Sequence, residues 1–479
     1  MSGILDRFAD VRSAEPGRLL VHLPGRDAGR SASDIWRDHE LLAGQIHACG
    51  VRPNQLVVSG ASNEPSGVAL FLACRALDVT LLAVDPGTTP HELTELGDRF
   101  QAAALALPAG AGSALTRDSA SGTDVAGLTL VVRDLGVART YPGVALLKLS
   151  SGSTGTPKTA VATDAQLARD GSQIIRGMGI GPDDTQIAAI PLSHSYGFSV
   201  LVMPLLLQGT PIVLRESFVP QQLPADARTF DARRFPGVPF MFQYFLDHPP
   251  GGGWPRTLQQ LVSAGARLPA DTVRQFHDRY GVKIHTFYGT TETGGIAFDD
   301  EPAPAEDGVI GRPLPGVTIS LETDADLPAG TGRVHVRSGA VADGYLDCPG
   351  EGFENGGFLT GDYGTVDAAG RLTLTGRVSS FVNIAGRKVQ PDEVEAVLRS
   401  MPHVRDARVL SAPDARRGQQ IAACVVADTP MTLFEVRRFC AVHLASHKVP
   451  RIVVFLDAIP LTARGKTDRA ALDGRAESL

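Results

Sequence analysis

The sequence predicts an α/β protein with a large N-terminal domain and a small C-terminal one, and two patterns carry that prediction. In the first half, segments with helical periodicity alternate with short apolar runs, which is typical of α/β layers around a mainly parallel sheet. From about Gly332 the chain changes to short strands with Gly-rich turns, and after Arg377 to a smaller α+β pattern. We therefore expect layered α/β subdomains plus a β-rich subdomain in residues 1–378, and an α+β domain in residues 379–479.

Local signals predict the elements of the first half. Helical periodicity, capping residues at the start and Gly50 at the end predict a helix in SASDIWRDHELLAGQIHACG. A strand, a helix and a strand follow in QLVVSGA, PSGVALFLACRAL and VTLLAVDP, and the same rhythm returns in residues 257–289. The most apolar run, residues 198–214, is interrupted by Pro204 and by polar residues. It therefore predicts a buried helix followed by a strand, and no membrane span.

Shorter elements are predicted in the second half. RVHVRSG, ADGYLD and DYGTVDAAGRLTLTGR indicate short strands, and DAAG between two alternating runs indicates a hairpin turn. After the expected boundary, PDEVEAVLRSM and TLFEVRRFCAVHL indicate helices with strands around them. GVPFMFQYF, residues 237–245, suggests an apolar or aromatic-lined pocket, and residues 110–124 suggest a surface loop.

Composition and charge restrict the class of protein. With 479 residues, 43% hydrophobic and 20% charged, the chain is an ordinary globular protein of more than one domain. A formal charge of -7 gives no global attraction to nucleic acid, although it leaves a local basic patch open. The N-terminus has no apolar segment that would indicate a signal peptide. Five scattered cysteines without a CxxC pair favour a reduced, cytoplasmic chain over a zinc or disulfide framework.

A polar loop within residues 147–161, LKLSSGSTGTPKTAV, is typical of phosphate binding. Backbone N–H groups of glycines, hydroxyl groups and one lysine can converge there on phosphate oxygens. The spacing is not that of a Walker A loop, because Pro157 stands where a glycine is required before the lysine, and no GxGxxG follows a strand. Taken alone, the segment can also be interpreted as a Gly/Ser-rich surface turn.

Five further segments follow this loop. They are PLSHSYGF (191–198), VSAGARLP (262–269), FYGTTETG (287–294), FLTGDYGTVDAAGRLTLTGR (358–377) and TARGKTDRAAL (462–472). Together with SSGSTGTPKT, which is similar to TSGTTGxPKG, they resemble the ordered motifs of the adenylate-forming superfamily: acyl-CoA synthetases, adenylation domains of peptide synthetases and beetle luciferases. The resemblance covers essentially the whole chain. It implies an AMP-binding (adenylation) domain in residues 1–378 and a mobile lid domain in residues 379–479.

The resemblance implies a nucleotide site for ATP. Tyr288 would stack on adenine, Thr291 would hold the α-phosphate, and Asp362 would bind both ribose oxygens. Arg377 would contact ribose or phosphate, and Glu292 would help to bind Mg²⁺. The other nucleotide-binding residues that the resemblance implies are Ser150, Ser151, Gly152, Ser153, Thr154, Gly155, Lys158, Gly265, Ala266 and Gly289.

The same resemblance implies an acyl site and a catalytic lysine. His194, Tyr196 and Gly294 would line the pocket of the carboxylic acid, with His194 close to the reacting group. Lys466 would bridge the carboxylate oxygen and the α-phosphate in the transition state. Thr154 would be a second ligand of the metal.

Each of these motifs has a plainer interpretation when it is read alone. A single histidine such as His194 is more often structural, and Glu292 after two threonines is more often a helix cap. Asp362 fits ordinary turn chemistry, and Lys466 fits a solvated residue of a basic tail. VSAGARLP alone indicates only a strand-to-helix turn. The order of the motifs along the chain favours the functional interpretation.

The chain departs from the family pattern at five positions. Thr159 stands where glycine is usual, Asp164 where histidine is frequent, and Arg333 where many relatives have glutamate. Ser379 replaces the hinge aspartate, and Asn383 replaces a frequent lysine. We expect the first two departures to change packing, and Ser379 to change the rotation of the small domain between two half-reactions.

The implied reaction activates a carboxylic acid. The acid would attack the α-phosphorus of ATP, releasing pyrophosphate, and the acyl-adenylate would then pass its acyl group to the thiol of coenzyme A. PLSHSYGF has no aspartate to hold an α-ammonium group, which favours an acid without an α-amine, such as a fatty or aromatic acid. Two alternatives stay open: an acyl-AMP ligase that loads the phosphopantetheine of an acyl carrier protein, and a catalytically impaired nucleotide-binding protein. The oligomeric state is left open.

Overall fold

The chain divides into two units in the computed structural model. The first comprises Met1–Pro86, Leu93–Ser150 and Thr159–Arg377, and the smaller second unit contains Val378–Leu479. The structure describes residues 3–26, 29–61, 63–109, 123–133, 138–150, 158–306, 308–323, 330–377, 382–385, 387–389, 391–414, 418–460 and 472.

The helices before residue 378 include every helix that periodicity predicts there. α2 begins where Ser31 accepts a hydrogen bond from the Asp34 backbone, a capping arrangement, and it buries an apolar face on the core. The π-helical turn Phe198–Val202 joins α6 to α7, so the apolar run of residues 198–214 is helical and then extended, as predicted. The helices are α1 (Ile4–Ala14), α2 (Ala32–Ala48), α3 (Pro65–Ala76), α4 (Pro90–Arg99), α5 (Asp164–Met178), α6 (Ser195–Gly197), α7 (Met203–Gln208), α8 (Leu223–Thr229), α9 (Pro239–Asp247) and α10 (Ala270–Tyr280).

The strands before residue 378 form two sheets. They are β1 (Leu19–His22), β2 (Arg30–Ser31), β3 (Leu56–Ser59), β4 (Thr80–Ala83), β5 (Ala104–Pro108), β6 (Thr123–Val125), β7 (Leu128–Val132), β8 (Leu146–Ser150), β9 (Lys158–Ala162), β10 (Gln186–Ala188), β11 (Ile212–Leu214), β12 (Arg234–Gly237), β13 (Gln260–Ser263), β14 (Ile284–Thr290), β15 (Gly294–Phe298), β16 (Val309–Pro313), β17 (Val317–Thr323), β18 (Thr331–Ser338), β19 (Phe353–Glu354), β20 (Gly357–Val366) and β21 (Leu372–Arg377).

The larger sheet positions the motifs. Over the described residues it is 14-stranded, in the order β17-β18-β20-β21-β16-β15-β14-β13-β12-β10-β11-β1-β2, with β19 beside β20. The strands β1, β11, β10, β12, β13 and β14 run parallel, so their carboxyl ends meet at one edge of the sheet. PLSHSYGF, VSAGARLP and FYGTTETG all lie at that edge, because they follow or end β10, β13 and β14.

The second sheet has the order β6-β7-β5-β3-β4-β8-β9. Its strands β3, β4, β5 and β8 are parallel, and β8 ends at the start of the Ser/Gly/Thr-rich loop. Along β8, Leu146 packs into the main core and Leu147 into a second apolar cluster, so successive side chains face opposite sides of the sheet.

The second unit is a small α+β arrangement. Its hydrophobic core joins α11 and α12 to a sheet in which β24 and β25 form a long antiparallel pair. Its elements are β22 (Val382–Ile384), β23 (Arg387–Val389), α11 (Pro391–Ser400), β24 (Val404–Asp414), β25 (Gly418–Ala427), α12 (Leu433–His443) and β26 (Ile452–Phe455).

Two expectations from the sequence are wrong. ADGYLD is not a strand: it is a loop joined to β9 by a single bridge between Ala160 and Tyr345. The aromatic run of residues 237–245 is mostly core rather than pocket wall, because Phe242 and Phe245 on α9 are fully buried among other aromatic rings. The hairpin turn predicted at DAAG does join β20 to β21. Of the predicted surface loop at residues 110–124, only Thr123 and Asp124 lie within the described residues.

None of the helices in the described part of the chain is long and apolar enough to cross a membrane.

Candidate active site

An aromatic ring on β14 and a carboxylate on β20 of the larger sheet are hydrogen-bonded to each other. Tyr288 on β14 and Asp362 on β20 are both buried, and the Tyr288 hydroxyl donates to Asp362 Oδ2 over 2.7 Å. The backbone N–H of Asp362 donates to Thr360 Oγ1 at 3.1 Å, which holds the carboxylate's own backbone in place. Arg377 is the register partner of Asp362 across β20 and β21; its side chain lies outside the described residues. The structure thus joins two residues that are 74 positions apart in the sequence.

Two glycines shape the connection from β14 to β15. A Cβ atom on Gly289 would lie 2.6 Å from the Gly294 carbonyl oxygen, and one on Gly294 would lie 2.2 Å from Asp170 Oδ1. Gly294 also has a φ of +68°, in the left-handed region that favours glycine. Thr290 Oγ1 accepts a 3.2 Å hydrogen bond from the Thr293 backbone and so closes the turn. Thr291 and Glu292 therefore stand at the tip of a strand connection, and Glu292 is not a helix cap.

Glu292 is a buried carboxylate, and among the described residues only its Oε1 accepts a hydrogen bond. The Tyr345 hydroxyl donates to Glu292 Oε1 at 2.7 Å, and the Glu292 carbonyl accepts from the Ala342 backbone at 2.8 Å. The described residues contain no group of three or more His, Cys, Asp or Glu side chains that could hold a metal ion. Mg²⁺ is commonly bound by one or two carboxylates together with substrate phosphates, so Glu292 alone fits it.

Behind this turn lies a set of buried charges that the sequence analysis missed. Asp170 on α5 accepts from the Ser199 hydroxyl at 2.5 Å and from the Gly295 backbone at 2.8 Å. Lys148 on β8 is buried as well; burial lowers the pKa of its ammonium group, and the Asp170 and Glu292 carboxylates oppose that shift. A lysine within the apolar strand LLKLS and an aspartate on the apolar face of α5 were the available signals.

Of the residues expected at the acyl pocket, Tyr196 is held by a hydrogen bond and His194 is exposed to solvent. The Tyr196 hydroxyl donates to the Val262 carbonyl at 3.2 Å, and its ring lies 5.7 Å from that of Phe287. Burial raises the pKa of this hydroxyl, which therefore stays protonated. His194, just before α6, is exposed to solvent. Tyr196 can serve as a rigid wall, whereas His194 stands at the surface.

Gly265 and Ala266 follow β13 at the same edge of the sheet. Gly265 has a φ of +81°, and both residues are half-buried. The Ala264 backbone donates to the Gly237 carbonyl at 3.2 Å, which ties this turn to the end of β12. The turn is therefore fixed at the edge where the other motifs lie.

Several of the expected residues lie wholly or partly outside the described part of the chain. Only the backbone of Ser150 is described, and Lys158 is half-buried at the start of β9. The residues that lie outside it are Ser151, Gly152, Ser153, Thr154, Gly155, Ser379 and Lys466.

Three departures from the family pattern have a packing role. Thr159 on β9 is fully buried, and its carbonyl accepts from the Leu346 backbone at 2.8 Å. Asp164 Oδ2 accepts from the Ile4 backbone at 3.0 Å, so this acid satisfies the first N–H group of α1. The Arg333 guanidinium donates to the Thr360 carbonyl at 3.0 Å, two residues before Asp362.

Replacing Gly294 by alanine tests the contact with Asp170. Because the added Cβ would overlap Asp170 Oδ1 at 2.2 Å and strain a positive φ, we expect Gly294→Ala to lower the free energy of unfolding by roughly 2–5 kcal/mol. The matched control is Gly253→Ala, since Gly253 has a φ of +77° and no atom within 4 Å of its Cβ position. This control isolates the backbone strain, about 1–2 kcal/mol. Equal losses in denaturant titrations of the two variants would contradict the tight contact.

Comparison with known proteins shows to which family the sequence belongs. Residues 13–346 match the AMP-binding enzyme family, and residues 393–466 match the AMP-binding enzyme C-terminal domain. The 2-succinylbenzoate–CoA ligase of Enterococcus faecalis is 30% identical over 330 residues, which cover 67% of this chain and 68% of that protein. The oxalate–CoA ligase of Arabidopsis thaliana is 27% identical over 507 residues, covering 98% of this chain and 97% of that protein.

The fold is also shared with a solved structure. The amide bond synthetase McbA from Marinactinospora thermotolerans matches with a TM-score of 0.85 and 27% identity, covering 99% of each chain. The predicted mixed α/β fold, with a large N-terminal domain and a small β-containing C-terminal domain, is confirmed. The predictions of an adenylate-forming enzyme and of a ligase are confirmed as well. This chain belongs to the AMP-binding enzyme family.

Proposed function

We propose that this enzyme activates a carboxylic acid with ATP and transfers the acyl group to the thiol of coenzyme A. The observation that carries the proposal is the buried Tyr288–Asp362 pair, in which Tyr288 lies on β14, the strand that leads into the turn with Glu292. An aromatic face suits a purine, and a carboxylate accepts hydrogen bonds from ribose hydroxyls. The two sequence relatives described above are both named as CoA ligases, which supports the same reaction class.

The reaction proceeds in two displacements. A carboxylate oxygen of the acid attacks the α-phosphorus of ATP, the bond to the bridging oxygen breaks, and pyrophosphate leaves with the electron pair. The thiol sulfur then attacks the acyl carbon, AMP leaves, and the thiol proton goes to solvent or base. Thr291, at the tip of the β14–β15 connection, donates a hydrogen bond from its hydroxyl group to the α-phosphate. Asp362 orients the ribose and so places the α-phosphorus.

Glu292 would hold Mg²⁺ together with the phosphates, and Thr154 is the second protein ligand that we propose. Bound there, Mg²⁺ would neutralise part of the charge on the phosphate oxygens. The hydrogen bond from Tyr345 to Glu292 Oε1 fixes the carboxylate, so its position does not depend on the metal.

Lys466 and the small domain supply the rest of the mechanism that we propose. Lys466 neutralises charge between the carboxylate oxygen and the α-phosphate during adenylation. With a domain boundary between residues 378 and 379, the small domain carries Lys466 in the first step and the hairpin of β22 and β23 in the second. Ser379 at this boundary changes the rotation between the steps.

The acid that we propose lacks an α-amine, and the relatives suggest which kinds to test. The two relatives are named for 2-succinylbenzoate and oxalate, acids that carry a second carboxylate. Because the solved structure that matches 99% of this chain is an amide bond synthetase, an amine is a second candidate acceptor. A carrier-protein thiol is the third.

Pyrophosphate exchange tests the proposed function. We expect the enzyme to catalyse ATP–pyrophosphate exchange with one class of acid in a panel of short, medium, long, aromatic and dicarboxylic acids. Addition of coenzyme A should then give the acyl-CoA and AMP. Amide formation with added amines, or loading of a holo carrier protein without acyl-CoA, would move the acceptor to the other candidates. ATP binding without exchange for any acid would favour a nucleotide-binding protein that has lost catalysis.

Replacing Lys466 separates the two half-reactions. We expect Lys466→Ala to reduce acid-dependent exchange by about two orders of magnitude or more, because a charge that acts in the transition state is lost. Transfer from a supplied acyl-adenylate to coenzyme A should change little. Single-turnover assays of each step provide the measurement. Equal losses in both steps would contradict the role assigned to Lys466 in adenylation.

Replacing Glu292 tests the metal. Glu292→Gln keeps the size of the side chain and its hydrogen bond with Tyr345, but it removes the charge. We expect the Mg²⁺ concentration for half-maximal exchange to rise at least about tenfold. The control is Glu216→Gln, an acid whose side chain is 63% exposed and which should leave the Mg²⁺ dependence unchanged. An unchanged dependence in Glu292→Gln would remove Glu292 from the metal site.

A further inference from the structure

Lys148 is a buried cation that the proposed mechanism does not use. It lies on β8, two residues before the end of the strand, and is 8% exposed. Within the described part of the chain, its ammonium group makes no hydrogen bond and no ion pair within 4.0 Å. An unpaired buried charge lowers the stability of a fold, so a chain that keeps one usually has a use for it.

The other buried lysine of this unit shows the contrast. Lys283 is 5% exposed, its Nζ lies 2.8 Å from Asp299 Oδ2, and it donates to the Glu301 carbonyl at 2.5 Å. Its charge is fully compensated within the protein. Lys148 has no such compensation among the described residues, although both lysines are removed from water to a similar degree.

Lys148 lies on β8, the strand that ends at the start of the proposed phosphate loop. Side chains alternate along a strand, and Leu147 packs into the second apolar cluster, so Lys148 shares the opposite face with Leu146. The carboxylates of Asp170 and Glu292 oppose the lowering of the Lys148 pKa by burial, so both are close enough to act on its ammonium group. The strand then leads directly into the Ser/Gly/Thr-rich loop, for which we propose phosphate binding.

Neither carboxylate forms an ion pair with Lys148 within 4.0 Å. Asp170 already accepts from the Ser199 hydroxyl and the Gly295 backbone, and its carboxylate is fixed against Gly294. Glu292 accepts from Tyr345 through Oε1, and we propose that its carboxylate binds Mg²⁺. The two acids oppose the lowering of the Lys148 pKa without occupying its hydrogen-bond donors, which leaves those donors for a bound anion.

We propose that Lys148 is a substrate-binding residue whose ammonium group pairs with an anionic oxygen of a bound substrate. That oxygen belongs either to a phosphate of ATP or to the second carboxylate of a dicarboxylic acid. The inference rests on the proposed function, because it assumes that ATP and an acid occupy this site. The folding free energy lost by burying Lys148 unpaired is then recovered when the substrate binds.

The test compares Lys148→Met with Lys148→Arg and with Lys283→Met. Methionine fills the volume of lysine without its charge, arginine keeps the charge, and Lys283→Met is the matched control for removing a buried but paired lysine. Thermal unfolding without ligands is the first measurement. We expect Lys148→Met to be at least as stable as the wild type, and Lys283→Met to be less stable because Asp299 loses its partner.

Calorimetric titration with ATP and Mg²⁺ is the second measurement. If a phosphate is the partner, Lys148→Met should weaken ATP binding roughly tenfold to a hundredfold, since a hydrogen bond to a charged group is lost. Lys148→Arg should retain part of the affinity, and Lys283→Met should bind ATP as the wild type does. This readout does not require turnover, so it stays informative if no acid supports exchange and the proposed function fails.

The acid provides the third measurement. If the second carboxylate is the partner, Lys148→Met should leave ATP affinity unchanged and raise the KM for malonate at least about tenfold, with little effect on the KM for propionate. Wild-type affinity for ATP together with unchanged KM values for both acids would overturn the proposal. So would a loss of thermal stability in Lys148→Met as large as that in Lys283→Met, because Lys148 would then be a structural residue.

Discussion

The carboxylate of Asp170 fixes the connection between β14 and β15 on which Thr291 and Glu292 lie. It is 1% exposed, it accepts from Ser199 and from the Gly295 backbone, and it fills the space that any side chain at position 294 would need. Buried carboxylates are stable only when they are hydrogen-bonded, so α5, α6 with its π-helical turn, and β15 must keep their spacing. The position of the turn that carries Thr291 and Glu292 is therefore fixed by packing against Asp170 and does not depend on a bound substrate.

The parallel strands bring several of the predicted motifs to one edge of the larger sheet. Segments that are far apart in the sequence end at one edge of the larger sheet because β10, β12, β13 and β14 run in the same direction. The direction reverses at β15, and the antiparallel strands that follow bring Asp362 on β20 back to Tyr288. The residues that we propose for the acyl pocket thus lie at the end of the parallel half, and the carboxylate that we propose for the ribose lies in the antiparallel half.

The sequence predicts the elements and the order of the motifs well, because both depend on local periodicity and turn residues. It does not predict which side chains meet. The bonds from Tyr345 to Glu292 and from Ser199 to Asp170 join residues 53 and 29 positions apart, and no local pattern fixes such pairs. The aromatic residues of α9 were expected around a pocket, but hydrophobicity alone does not distinguish a core wall from a pocket wall. Lys148 was visible as a charge in an apolar strand, yet only the structure shows that it is buried and has no ion-pair partner among the described residues.

The loop that contains Tyr345 links two parts of the site that have separate chemical tasks. Its backbone bonds to β9 through Gly344 and Leu346, next to the strand start at Lys158, while the Tyr345 ring carries the hydroxyl that holds Glu292. One short segment therefore supports both the strand β9 and the carboxylate of Glu292, for which we propose metal binding. A shift of this loop would therefore disturb β9 and the Glu292 carboxylate together.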